Sequence, residues 1–123
     1  MSASSVNIGG QRRVIGLKPA NTSEATMLTA GDDRPVIVGL VIANNTGGAV
    51  AATVRWGNGT TDYDILAAKS IAANDVYIPD LPPVPLRNGY TVKVTSGSGN
   101  ALTFTLVVVS EGSTLYGSSG IPN

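Results

Sequence analysis

From Arg34 to Asn44 the chain reads RPVIVGLVIAN, with Val36, Val38, Leu40 and Ile42 alternating against Ile37, Gly39, Val41 and Ala43. A period of two is the mark of a β-strand. Both sets are apolar, so this strand is either central and covered on both faces, or meets an arm or a neighbouring subunit on its second face. Asn44-Asn45-Thr46-Gly47-Gly48 follows, small residues that tolerate left-handed backbone and suit a hairpin loop. The next run sets Val50, Ala52, Val54 and Trp56 against Ala51, Thr53 and Arg55. The two runs are therefore predicted to pair as a hairpin.

Gly57-Asn58-Gly59 makes another turn, after which Thr61, Tyr63 and Ile65 share one face and Asp62 and Asp64 the other. A short strand is expected at Val76 to Ile78. Pro79 to Pro85 holds too many prolines to supply a continuous row of backbone donors, which predicts an edge segment or a crossover between sheets. Tyr90, Val92 and Val94 alternate with Thr91, Lys93 and Thr95, and the last strand directs Leu102, Phe104, Leu106 and Val108 inward. A weaker first strand is placed at Glu24 to Ala30.

No stretch sustains a helical period. Short runs rich in Val, Ile and Thr, punctuated by 15 glycines and 7 prolines, predict an all-β fold, an Ig-like antiparallel β-sandwich of about seven to nine strands. The expected core is Val38, Leu40, Val54, Trp56, Val92, Val94, Phe104 and Leu106. The ends are rich in Ser, Gly and Asn and too poor in apolar residues to form a core. The expected organisation is an extended N-terminal arm over 1–23, a sandwich domain over 24–111 and a C-terminal arm over 112–123.

Composition narrows the chemistry. The 123 residues suit one domain, and 42% hydrophobic with 13% charged residues predicts a folded chain rather than a disordered one. There is neither cysteine nor histidine. This removes disulfides, thiolate nucleophiles, the commonest zinc ligands and the most used general base together, so an enzyme is not expected. No cofactor is expected either. Eight basic and eight acidic side chains cancel, so no global field draws the chain to nucleic acid or to an anionic membrane, and neither is an expected partner. The apolar run around Leu106 to Val109 is far shorter than the roughly 20 residues of a membrane-spanning helix. Met1 to Ser5 lacks a basic leader, which predicts synthesis in a cytoplasm without a secretory signal.

Several groups of residues suggest finer chemistry. Asp62 and Asp64, with Asp32, Asp33, Asp75 or Asp80, have the oxygen ligands calcium prefers, although aspartates beside Gly, Asn and Thr are ordinary turn residues. Trp56 and Tyr63 have faces suited to a sugar ring, although a tryptophan at a strand end is more often core. Asn21-Thr22-Ser23, Asn44-Asn45-Thr46 and Asn58-Gly59-Thr60 match the glycosylation pattern but also make turns. Arg12, Arg13 and Lys18 precede the first acid, Glu24, so the N-terminal arm is basic. Val6, Ile8, Arg12, Arg13, Val14, Ile15 and Leu17 in one arm, and Leu115, Tyr116 and Ile121 in the other, are the candidate partner-binding residues. An arm of some twenty residues spans tens of ångströms at about 3.3 Å per residue, enough to reach several neighbours.

The run from Gly39 to Gly112 resembles the small Ig-like β-sandwich proteins encoded among the virion genes of tailed bacteriophages. The matching pieces are Ile42 to Gly47, with its Asn-Thr-Gly turn, Tyr63 to Ile65, Ile71 to Asp75, Leu86 to Thr95 and Leu102 to Glu111. The resemblance covers about residues 28 to 112 and leaves the arms unmatched. It implies a structural virion component, with a capsid decoration or cement protein as first reading and a tail, head-tail connector or fibre component, such as a receptor- or glycan-binding module, as second. The implied partners are the major capsid protein or neighbouring structural subunits, including further copies of the chain.

Overall fold

The computed structural model describes residues 11–110 and consists of strands alone. In chain order these are β1 (Gln11–Leu17), β2 (Ala25–Thr29), β3 (Pro35–Asn44), β4 (Val50–Gly57), β5 (Asp62–Ile71), β6 (Val76–Tyr77), β7 (Val84–Pro85), β8 (Thr91–Ser96) and β9 (Leu102–Ser110). They form two antiparallel sheets. The first runs β1-β9-β3, with β6 and β7 both along the far side of β3; the second runs β2-β8-β4-β5. The expected all-β sandwich is the architecture found. Its strand order is that of a jelly roll, in which most connections cross from one sheet to the other and only β4–β5 and β6–β7 stay within a sheet.

β9 is the centre of the first sheet because its inward row is unbroken. Leu102, Phe104, Leu106 and Val108 are all buried, and Phe104 stands between Leu17 on β1 and Ile42 on β3. The second sheet answers with Val50, Ala52 and Val54 from β4, Val92 and Val94 from β8, and Ile71 from β5. Each of the larger side chains contributes about 1.5–3 kcal/mol through the water it leaves. Met27 and Leu28 both enter the core because the β2–β8 register skips a residue between Thr26 and Leu28. A bulge places two neighbours against one partner, so strict alternation is lost there.

The same device corrects the reading of β3. Val108 pairs with Ile37 and Val107 with Gly39, leaving Val38 as the extra residue. Ile37 is therefore fully buried and Val38 is 37% exposed. The expected core residue Val38 lies on the outer face, because one inserted residue reverses the facing of everything before it.

The Asn44 to Gly48 segment is not a hairpin loop. β3 and β4 lie in different sheets, and the segment carries the chain across the sandwich. Asn44 is only 3% exposed, and its side chain organises the crossing. Nδ2 shares its two hydrogens among the carbonyls of Gly48 (2.9 Å), Ile71 (2.9 Å) and Ala72 (3.1 Å). Oδ1 accepts from the Thr46 amide at 2.9 Å and the Thr46 hydroxyl at 2.7 Å. The backbone continues the stitching, with the Asn44 amide donating to Asp75 O and the Asn74 amide to Thr46 O. A buried polar group satisfied on every side fixes a loop in one conformation.

The Gly57-Asn58-Gly59 turn is a hairpin as expected, with Gly59 at φ +93° and β5 paired back onto β4. The proline-rich segment is an edge: Val84–Pro85 pairs with Val36 and Ile37, Val76–Tyr77 with Ala43 and Ile42, and Leu86 beyond it plugs the core. The largest departure concerns the N-terminal arm. Gln11–Leu17 is a full strand of the first sheet, paired without interruption to β9. The sandwich thus begins before residue 23, because Ile15 and Leu17 find apolar partners beside Leu106 and Phe104.

Three substitutions test this account by urea denaturation. Phe104→Ala is expected to cost about 3–5 kcal/mol, as a large buried side chain does when a cavity replaces it. Asn44→Ala removes far less volume but strands several carbonyls, and is expected to cost about 2–4 kcal/mol. Val38→Thr should change stability by less than about 0.5 kcal/mol.

Candidate interaction surfaces

The two outer faces of the sandwich differ in chemistry. On the second sheet Arg55 reaches Asp64 at 2.7 Å through Nε and Glu24 at 3.5 Å through Nη1, and Lys93 lies 3.3 Å from Asp62. The hydrogen bond with Asp64 and its negative charge hold the Arg55 guanidinium above its ordinary pKa. Thr53, Thr91 and Thr95 fill the spaces between these charges. It is a solvated, charge-paired surface.

On the first sheet the outward residues are Val36, Val38, Val41 and Ala43 from β3, Thr103, Thr105, Val107 and Val109 from β9, and Arg12, Val14 and Gly16 from β1. Val14 is 70% exposed and Val76, at the opposite margin, 52%. No acid lies in this array, and its one cation, Arg12, stands at a corner. The double-apolar pattern of β3 thus has a geometric meaning: one face builds the core, and the other presents valines to the outside.

The candidate arm residues divide. Ile15 and Leu17 pack against the core from the edge of the first sheet, Val14 and Arg12 face outward, and Arg13 is tied to Asp33 at 3.2 Å. Val6, Ile8, Leu115, Tyr116 and Ile121 lie outside the described residues. Gln11 and Ser110 are register partners, so the chain segments 1–10 and 111–123 both join the sandwich at one corner of the first sheet.

The carboxylates do not converge. Asp62 and Asp64 face cations, Asp33 accepts from Arg13 and from the Ser110 hydroxyl at 2.8 Å, and Asp32 accepts from Asn88 at 2.6 Å. Among the described residues no three acidic side chains group as metal ligands. Asn88 also lines a shallow depression with Arg34 and Arg87. The three Asn-x-Ser/Thr triplets behave alike. Asn21, Asn44 and Asn58 each accept from the amide two residues ahead, at 3.0, 2.9 and 2.9 Å, so each is a side-chain-closed turn.

Trp56 stacks on Tyr63 with ring centroids 4.6 Å apart and on Tyr90 at 5.7 Å. Trp56 is half-buried against the core, and Tyr63 is 43% exposed. The sequence pattern sets Trp56 and Tyr63 together but places Tyr90 only in alternation with Val92 and Val94. Only the pairing of Trp56 with Val92 on β8, two residues from Tyr90, brings the third ring in.

No protein-family model matches the chain, and no curated protein does. Solved structures do share its fold. One is from work on Bacillus endospore appendages, a family of disulfide-linked pili, with a TM-score of 0.52, 13% identity, and coverage of 83% of this chain and 86% of that one. Another is infectious bursal disease virus VP2 from a subviral particle, with a TM-score of 0.52, 11% identity, and coverage of 84% of this chain. This chain spans about a third (33%) of VP2. At these identities the likeness is one of fold.

The aromatic stack makes a direct prediction, since Trp56 is the only tryptophan. Tyr63→Ala should shift its fluorescence emission to the red and raise acrylamide quenching while the far-ultraviolet circular dichroism stays unchanged. The loss of stacking should cost about 0.5–1.5 kcal/mol beyond the buried area.

Proposed function

We propose that this chain is a non-catalytic structural subunit of a tailed-phage virion, most simply a decoration or cement protein seated on the assembled head. The observation that carries the reading is the contrast between the two outer faces. A free-standing sandwich is expected to solvate both outer faces, whereas this one concentrates its paired charges on the second sheet and leaves valines on the first. Contiguous apolar surface of that kind marks an interaction site. Fold likeness to proteins of a pilus and a subviral particle agrees with a subunit's role, and the chain's lack of histidine and cysteine agrees with a non-enzymatic one.

In this reading the partners are the major capsid protein or adjacent structural subunits, the chain forms a homo-oligomer within the particle, and its place is the virion. The terminal segments, carrying Val6 and Ile8 at one end and Leu115, Tyr116 and Ile121 at the other, leave from one corner and add contact area that a domain this small lacks. A stable contact needs about 1,200–2,000 Å² in total. The second reading is a tail, connector or fibre component that binds a glycan, favoured by the exposed Tyr63 ring stacked on Trp56. Saturable binding on a glycan array, lost in Tyr63→Ala, would favour it over the architectural reading.

Deletion separates the segments from the sandwich. Removing residues 1–10 should leave thermal unfolding unchanged and reduce incorporation into particles. Removing residues 1–20 takes β1 away with its Ile15 and Leu17, and should also lower the melting temperature. Normal incorporation of the shorter deletion would refute attachment through the N-terminal segment.

A further inference from the structure

A two-sheet sandwich has four edges, and three of these are blunted. β5 carries two register shifts against β4 and holds Ala68 at φ +51°. β2 is five residues long and bulged at Met27. The open side of β3 is occupied at each end by the dipeptides β6 and β7, with prolines between and beside them. These are the devices by which sheets avoid pairing with other chains. β1 has none of them. It is seven residues long, regularly paired with β9, free of proline, and among the described residues nothing pairs with its other side.

We propose that β1 is a strand-pairing edge and that its partner is β1 of a second copy of this chain. Antiparallel pairing about a two-fold axis places Val14, the middle residue of Gln11–Leu17, opposite its own counterpart. Arg12 then faces Gly16 of the other copy, where a Cβ would meet nothing within 4 Å, and Arg13 faces Ile15. No like charges stand directly opposite, and Arg13 is already paired with Asp33. An isologous contact of this kind is self-complementary by symmetry. It joins the two first sheets into one continuous sheet, covers the 70% exposed Val14 and the outer flanks of Ile15 and Leu17, and extends the valine-lined face across both copies. Other occupants fit less well, since the opposite margin, at β6 and β7, offers only two-residue stretches for heterologous pairing.

Seven residues extend about 23 Å at roughly 3.3 Å each, a small interface, so the isolated pair is weak and its dimer forms in the micromolar to millimolar range. The proposal is independent of the terminal segments and of the particle assigned above. Sedimentation of the full-length protein over that range should show a monomer–dimer equilibrium. Val14→Lys and Val14→Glu should each weaken it at least about tenfold, because like charges then face each other across the axis. An equimolar mixture of the two should recover dimer as the mixed species by native mass spectrometry. Val14 is exposed, so both variants should retain the wild-type circular dichroism, and Val38→Lys should leave the dimer intact. A monomer throughout would overturn the proposal. So would insensitivity to both Val14 changes with dissociation by Val38→Lys, which indicates face-to-face packing, or with loss of the dimer on deleting residues 1–10, which indicates exchange of that segment.

Discussion

The crossing at Asn44 is the constraint on which the sandwich depends. The strand before it, β3, belongs to the first sheet and the strand after it, β4, to the second, so the segment decides whether β3 and β4 stack as layers or pair as neighbours. Glycine-rich loops alone leave that choice open. The Asn44 side chain closes it by binding carbonyls on both its own loop and the end of β5, which joins the two sheets at their shared end. Since a buried amide without partners costs more than the same amide bonded gains, the alternative arrangement is penalised rather than merely less favoured.

Once the crossing is set, alternation distributes the rest. Phe104 and its β9 neighbours face Val54 and Val92 across the gap, and the charges of β4, β5 and β8 fall on the opposite outer face. This portion was readable from residue order. The inward rows of β8 and β9 follow from period two, and the β4–β5 hairpin follows from Gly57-Asn58-Gly59. What was not readable depends on pairing partners. Val38 is indistinguishable from Val36 in the sequence, and its bulge exists only because Val107 and Val108 are registered against Gly39 and Ile37. The crossing mimicked a hairpin because the same Asn, Thr and Gly residues serve both kinds of connection. Gln11–Leu17 read as an arm because its apolar residues are few, and two half-buried side chains suffice only beside a completed β9.

The outer faces carry the functional information for a related reason. Residues of β3 that alternate toward solvent need not be apolar for the sandwich to fold, since the core is complete without them. Val36, Val41, Val107 and Val109 are therefore free of the main folding constraint, unlike Leu40 or Phe104. The charge pairs of the second sheet show that this chain places polar residues outward where solvent is the neighbour. The valine surface is thus the observation on which the proposed contact with another protein rests.

Edges and faces point the same way. A sheet edge that can pair is a hazard to a free protein, and this chain disarms three of its four by bulges, brevity or proline. The undisarmed strand, β1, borders the valine face and receives both terminal segments at its Gln11 end, beside Ser110. Among the described residues, apolar surface, an unpaired strand edge and the points where the terminal segments attach therefore lie along one side of the molecule, while the charged sheet lies on the other. Such polarity has no role in holding one sandwich together. Under the proposed function it gives each copy a side for contact and a side for solvent, the arrangement a layer of subunits on a larger particle would require.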